Sequence, residues 1–236
     1  PDSDEEDVTL HADSNDGFDY SAAGGGRRAV TLPAEPCWPT LSLVYEFAYR
    51  FFMSHDISAE DAEEMLCPDP TTAASDGQGR RLLNHLVPLL EYAGEEERAA
   101  LIRLLKLLVN RFGSTKNKRV VKLLLQSTGS ACVTLAYDSS NGLSSCAGYG
   151  RHRGLSELLD LALTLIGRWR APLLAYQQQF VIRSLGALHT LPVESLRGCH
   201  EALKECQFTA IDKAGGDGGH IAASLLRGCL LRRWPR

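Results

Sequence analysis

The chain predicts an all-α fold, a stack of antiparallel helix pairs, and three observations predict it. Nine short stretches carry apolar residues on a helical period, and strand-like alternation is almost absent. Equivalent helices recur at roughly 35–45 residues, the repeat length of HEAT-type hairpins. The expected architecture is therefore a HEAT-like helical-repeat solenoid, a superhelix whose units each bury their apolar stripe against the next. Such stacks more often bind other proteins than catalyse. Glu95–Phe112 is the clearest unit: Leu101, Leu104, Leu105, Leu108, Val109 and Phe112 share one face, three acids open the helix and Arg111 sits in its last turn.

The remaining elements follow in order. Residues 1–35 are acidic and then Gly-rich (Ala22–Arg28), with too little apolar surface to offset the entropy of ordering, so they are expected to be mostly disordered. The repeat domain is expected over 36–236. Trp38-Pro39 opens the first helix, with Leu41, Val44, Tyr45, Ala48, Phe51 and Phe52 as its buried face. Ser58 and Asp61 form a capping box for a short second helix ending near Leu66, and Ala73–Gly79 reads as a linker. Arg80–Tyr92 is a third helix with a kink or break expected at Pro88. After Glu95–Phe112, Lys116–Gln126 makes the fifth. Residues 127–153 lose the periodicity and read as a surface insertion, β-prone at Ala131–Tyr137. Gly154–Trp169, Ala175–Leu188, Val193–Phe208 and His220–Arg233 complete the set, with a glycine loop at Ala214–Gly219.

Composition narrows the function classes. A length of 236 residues with 44% hydrophobic content allows a sizeable core. A net charge of −4 and a pI near 6.0 argue against general nucleic-acid binding. Charge is uneven: residues 1–20 hold eight acids and no base, whereas 103–122 hold seven bases and no acid. The basic run is either a partner-facing ridge or a solvated helix face. Seven cysteines at irregular spacing, without a CxxC pair, fit free thiols in a reducing compartment. No stretch approaches 18 apolar residues and no signal-peptide pattern occurs, so no membrane span is expected. Cys199, His200 and Cys206 do not share one helix face, so no metal is expected, nor any other cofactor. No GxSxG, P-loop or HExxH motif is present, and no catalytic residue is assigned. The glycine-rich run Gly215–Gly219 follows no strand and reads as a connector rather than an anion cradle.

Three segments carry a family resemblance. Trp38–Phe52 (WPTLSLVYEFAYRFF) closely resembles the signature W-P-x-L-x-L-V-Y-E-F-x-x-R-F of the B-prime regulatory subunits of protein phosphatase 2A. Gly154–Pro172 (GLSELLDLALTLIGRWRAP) and Leu225–Pro235 (LLRGCLLRRWP) resemble two further stretches of that family, in the same order and at similar separations. The acidic Pro1–Leu10 is similar to the run that precedes the family's Trp-Pro helix. The resemblance covers nearly all of 36–236 and likens the chain to the middle of family members. It implies a HEAT-like fold and the role of a non-catalytic targeting subunit, cytoplasmic or nuclear. Such a subunit docks on the phosphatase scaffold and catalytic subunits and brings substrate proteins to them. The alternative is a pseudo-subunit that kept the fold but lost the phosphatase.

The resemblance also implies a peptide groove. Family members bind a Leu-x-x-Ile-x-Glu motif between helices of their third and fourth repeats. Their third-repeat run L-H-R-I-Y-G-K-F is matched here by Leu105–Phe112, so the His position carries Lys106, the Arg position Leu107, the Tyr position Val109 and the Lys position Arg111, with a later Arg at Lys116. On the fourth-repeat helix the groove positions fall at Asp160, Leu161 and Leu165. Leu161 and Leu165 are either apolar pockets or core. The planar Arg fork that would grip a carboxylate is absent, so motif binding is expected to be weak.

Overall fold

Apolar stripes of the predicted period become helices throughout. The structure is a computed structural model that describes residues 37–67, 78–115, 118–140, 154–191, 196 and 198–233, all within the unit Ala34–Arg236. The segment 1–35 lies outside the described residues. The helices are α1 (Trp38–Met53), α2 (Ala59–Leu66), α3 (Gln78–Tyr92), α4 (Glu95–Phe112), α5 (Arg119–Ser140), α6 (Leu155–Gly167), α7 (Ala175–Gln179), α8 (His200–Ala214) and α9 (Gly218–Arg233). A π-helical segment, Phe180–Leu185, extends α7. Among the described residues there is no strand.

Successive helices alternate between two layers of an all-α helical-repeat solenoid. In one layer α1 packs on α4, α4 on α6 and α6 on α8; in the other α3 packs on α5, α5 on the π segment and the π segment on α9. The core lies between the layers as one continuous cluster from Ala62 to Leu225. The α4 stripe is buried as expected, with Leu101, Leu105, Val109 and Phe112 fully enclosed. Burying side chains of this size stabilises by about 1.5–3 kcal/mol each.

Helix ends are held by side chains, their own or those of a neighbouring helix. Ser58 caps α2, its Oγ accepting from the Asp61 N–H at 3.1 Å. Glu63, buried on α2, accepts the Val120 N–H at 3.2 Å in the first turn of α5. In return Arg119 of α5 donates to the Cys67 carbonyl at the end of α2 (2.7 Å) and to Glu64 (2.7 Å).

Several expectations need correction. The surface insertion at 127–153 is helix over its first half: α5 runs on to Ser140, and 141–153 lies outside the described residues. Its buried stripe continues through Thr128, Cys132, Leu135 and Ala136. Thr128 satisfies its hydroxyl on the Leu124 carbonyl at 2.7 Å. Gly129 lets the π segment approach, since a Cβ there would stand 2.8 Å from Ser184 Oγ. Pro88 does not end α3, which continues to Tyr92. The stretch Ala175–Leu188 is helical but irregular, passing from α7 into the π segment. Helix α8 begins at His200 and runs on to Ala214; the glycine loop shrinks to a 3₁₀ turn at Gly215–Asp217. In α1 Val44 is exposed rather than buried; Tyr45, Ala48 and Phe52 make the contact with the core. One helical stretch, Arg119–Tyr137, does reach the length and mean hydropathy of a membrane span, with 44% of its residues buried within the stack.

Candidate functional site

The residues singled out from the sequence sit where α4 and α6 lie side by side. Lys106 on α4 and Asp160 on α6 form an ion pair, Nζ to Oδ2 at 2.5 Å, with both side chains half-exposed. Pairs of this exposure contribute about 0–1 kcal/mol, so this one closes the seam without locking it. Leu107 is half-buried beside it. Val109, Leu161 and Leu165 are fully buried in the core cluster. The choice between pocket and core is thus core for both leucines: a ligand side chain reaches them only if α4 and α6 part. Arg111 is turned away from this face. Its guanidinium donates to the carbonyls of Phe52, Ser54 (2.6 Å) and Ile57 (2.5 Å), gathering the end of α1 and the turn after it. Lys116 lies outside the described residues.

The basic run is therefore largely spent within the fold. Besides Lys106, Arg111 and Arg119, Arg103 of α4 stacks over the Tyr49 ring at 3.8 Å and meets Glu46 of α1 at 3.6 Å. Glu46 also accepts from Arg50 at 2.7 Å, and that hydrogen bond holds its carboxyl below the usual range. This cluster escaped the sequence reading because its members come from two helices far apart in the chain. Two more cross-links join α4 to α6. Arg98 Nε meets Glu157 at 3.1 Å, and Arg168 Nη2 donates to Asn110 at 2.5 Å.

The motif residues now have physical roles. Gly154 has φ +81°, and a Cβ there would stand 2.2 Å from the Leu90 carbonyl oxygen. Only glycine combines that backbone with that approach. Glu157 holds Arg98, while Leu158 and Leu159 enter the core. In α1 the Tyr45 hydroxyl donates to buried Glu97 of α4 at 2.8 Å, and Phe52 meets Phe112 edge-on at 6.3 Å. The signature thus encodes the grip of α1 on α4 and of α6 on α3 and α4.

A model of the protein phosphatase 2A regulatory B subunit (B56 family) matches residues 30–236. The chain belongs to the B56 family. Among its relatives, the human 56 kDa regulatory subunit beta isoform is 25% identical over 202 residues, 86% of this chain and 34% of the relative. The Schizosaccharomyces pombe delta 2 isoform is 26% identical over 203 residues, 86% of this chain and 27% of the relative. The Arabidopsis thaliana B' theta isoform is 22% identical over 201 residues, 85% of this chain and 34% of the relative. The chain thus spans about a third of the length of the B56 relatives it matches. Those relatives are named as regulatory subunits, in agreement with the non-enzymatic reading. Among the described residues no group of three or more His, Cys, Asp or Glu gathers as metal ligands would.

Proposed function

We propose that this chain is a regulatory subunit of protein phosphatase 2A that docks on the scaffold and catalytic subunits and recruits substrates to them. The observation that carries the reading is the family match over residues 30–236. The burial of the α4 and α6 motif residues, and the packing of Tyr45, Ala48 and Phe52 of α1 against them, support it, because they keep the repeat geometry on which a docking surface depends. Recruitment through a Leu-x-x-Ile-x-Glu motif is the weakest part of that role. Leu161 and Leu165 are core, Lys106 is already paired with Asp160, and Arg111 is committed to backbone carbonyls. A peptide glutamate arriving at this face has to displace Asp160 from Lys106. We assign the protein to the cytoplasm or nucleus, where its free buried thiols stay reduced.

The test is affinity capture of the tagged full chain from cell extract, followed by immunoblots for the phosphatase scaffold and catalytic subunits. Co-capture of both supports the reading. Capture of neither, by a chain shown to be folded, refutes it and leaves a helical scaffold that has lost the phosphatase.

A further inference from the structure

The opposite layer carries a feature that the family signature does not touch. Two adjoining grooves cross it. One, of about 400 Å³, lies between α3 and α5; the other, of about 430 Å³, lies between α5 and the α7–π segment. They join on α5, where Gln126, Ser130 and Thr134 line both. Each of the three neighbouring helices presents one exposed primary amide to this path: Asn84 from α3, Gln126 from α5 and Gln179 from α7. The floor on α5 is low because its side chains there are small, and Tyr92 and Tyr176 stand exposed at the flanks.

We propose that this path binds an extended peptide segment bearing an acidic residue. A primary amide both donates and accepts, so one Asn or Gln satisfies the C=O and N–H of a passing main chain, as a strand edge would. Packed helices stand about 8–10 Å apart, which is about three residues of extended chain. Three amides on three successive helices therefore meet the main chain at every third residue, and the residues between are free to contact the tyrosines. Charge sets the rest. Arg183 is exposed on the groove wall, makes no salt bridge among the described residues, and is the one Lys or Arg lining either groove. It fits a single carboxylate. A nucleic-acid backbone needs a run of cations, and Glu91 on the α3 side opposes it. The inference is independent of docking on the phosphatase, so failure of the capture experiment leaves it standing.

The test uses the full chain and an array of capped nonapeptides of random sequence, half with a central Glu and half with a central Lys. The strongest Glu peptide is then titrated by fluorescence anisotropy. The expected result is preferential capture by the Glu half. Affinity should fall about tenfold in Arg183→Glu and in Gln126→Leu, as loss of a charge-assisted or buried hydrogen bond predicts, and be unchanged in Lys106→Ala. Circular dichroism establishes that each variant is folded, and Asn84→Leu on a separate helix replaces any that is not. Array signal no higher than for the tag alone would overturn the proposal. So would binding that survives the groove variants, or binding lost only in Lys106→Ala, which would place the peptide on the α4–α6 face.

Discussion

Replacing Gly154 by alanine puts a methyl group where the backbone has no room for one. Two separate effects add. At φ +81° an L-residue sits in the left-handed region, which costs about 1–2 kcal/mol. The new Cβ would lie 2.2 Å from the Leu90 carbonyl oxygen and 3.2 Å from Leu90 Cβ, so the start of α6 has to move away from α3. Overpacking of that kind typically costs about 1–3 kcal/mol. Reduced freedom of the unfolded chain returns about 0.5–1 kcal/mol. The net expectation is a loss of roughly 1–4.5 kcal/mol, or a fall of about 2–18 °C in Tm for a domain of this size. A thermal melt followed by circular dichroism at 222 nm measures it. Asparagine at the same position separates the two effects, because it tolerates the left-handed backbone but carries the same Cβ. If contact with Leu90 dominates, Gly154→Asn is nearly as damaging as Gly154→Ala. A Gly154→Ala protein that melts with the wild type would refute the reasoning, since both effects would then be absent.

Arg111→Ala should lower stability by about 2–3 kcal/mol in urea unfolding, because the carbonyls of Phe52, Ser54 and Ile57 lose a charged donor together; Arg111→Lys should recover only part, since a point charge cannot span them. A lysine variant as stable as the wild type would show that the fork is unimportant. Burial pushes the Cys132 and Cys206 thiols up to about 12 from the ordinary 9.0. Their neutral forms therefore favour the fold fully below pH 9, and that contribution is lost as pH rises from 9 towards 12. Accordingly Tm should fall more steeply over that range in the wild type than in Cys132→Ala; parallel curves would contradict the assignment. A Leu-x-x-Ile-x-Glu peptide should bind the chain weakly in calorimetric titration and about tenfold more tightly to Leu107→Arg, which restores a fork beside Lys106. Low-micromolar binding by the wild type would mean that the α4–α6 seam opens for the ligand.

How much of this was legible beforehand depended on what each stripe is made of. In α4 the buried positions beyond Glu97 are Leu, Val and Phe, so period and burial coincide and the helix reads correctly from end to end. The second half of α5 has the same period, but its stripe is Thr128, Cys132, Leu135 and Ala136, flanked by Gly129. Those residues look like loop until a neighbour arrives: what makes Gly129 and Thr128 acceptable in a helix is the close approach of Phe180 and Ser184 and a hydroxyl turned back on its own backbone. The π segment packs on this same part of α5 and has no local signature. The candidate site divided likewise. Positions 106 and 107 lie on α4 and positions 160, 161 and 165 on α6, helices that their own stripes predict, but the pairing of Lys106 with Asp160, 54 positions apart in the chain, is a property of the α4–α6 packing alone.

Among the described residues three arginines reach main-chain oxygen: Arg98 on Ala93, Arg111 on Phe52, Ser54 and Ile57, and Arg119 on Cys67. Every amino acid offers a carbonyl. These couplings are therefore blind to the identity of the residue they grasp and sensitive only to the path of its backbone. Mutation at Ser54, whose side chain is outside the core, can leave its hydrogen bond to Arg111 in place, whereas mutation of the arginine cannot. A stack fastened in this way places the hydrogen-bonding constraint on the donor side chain and asks only a backbone path of the acceptor. In a family whose members share as little as 22–26% of residues with this chain, a fastening of that kind asks little of the sequence at its acceptor end.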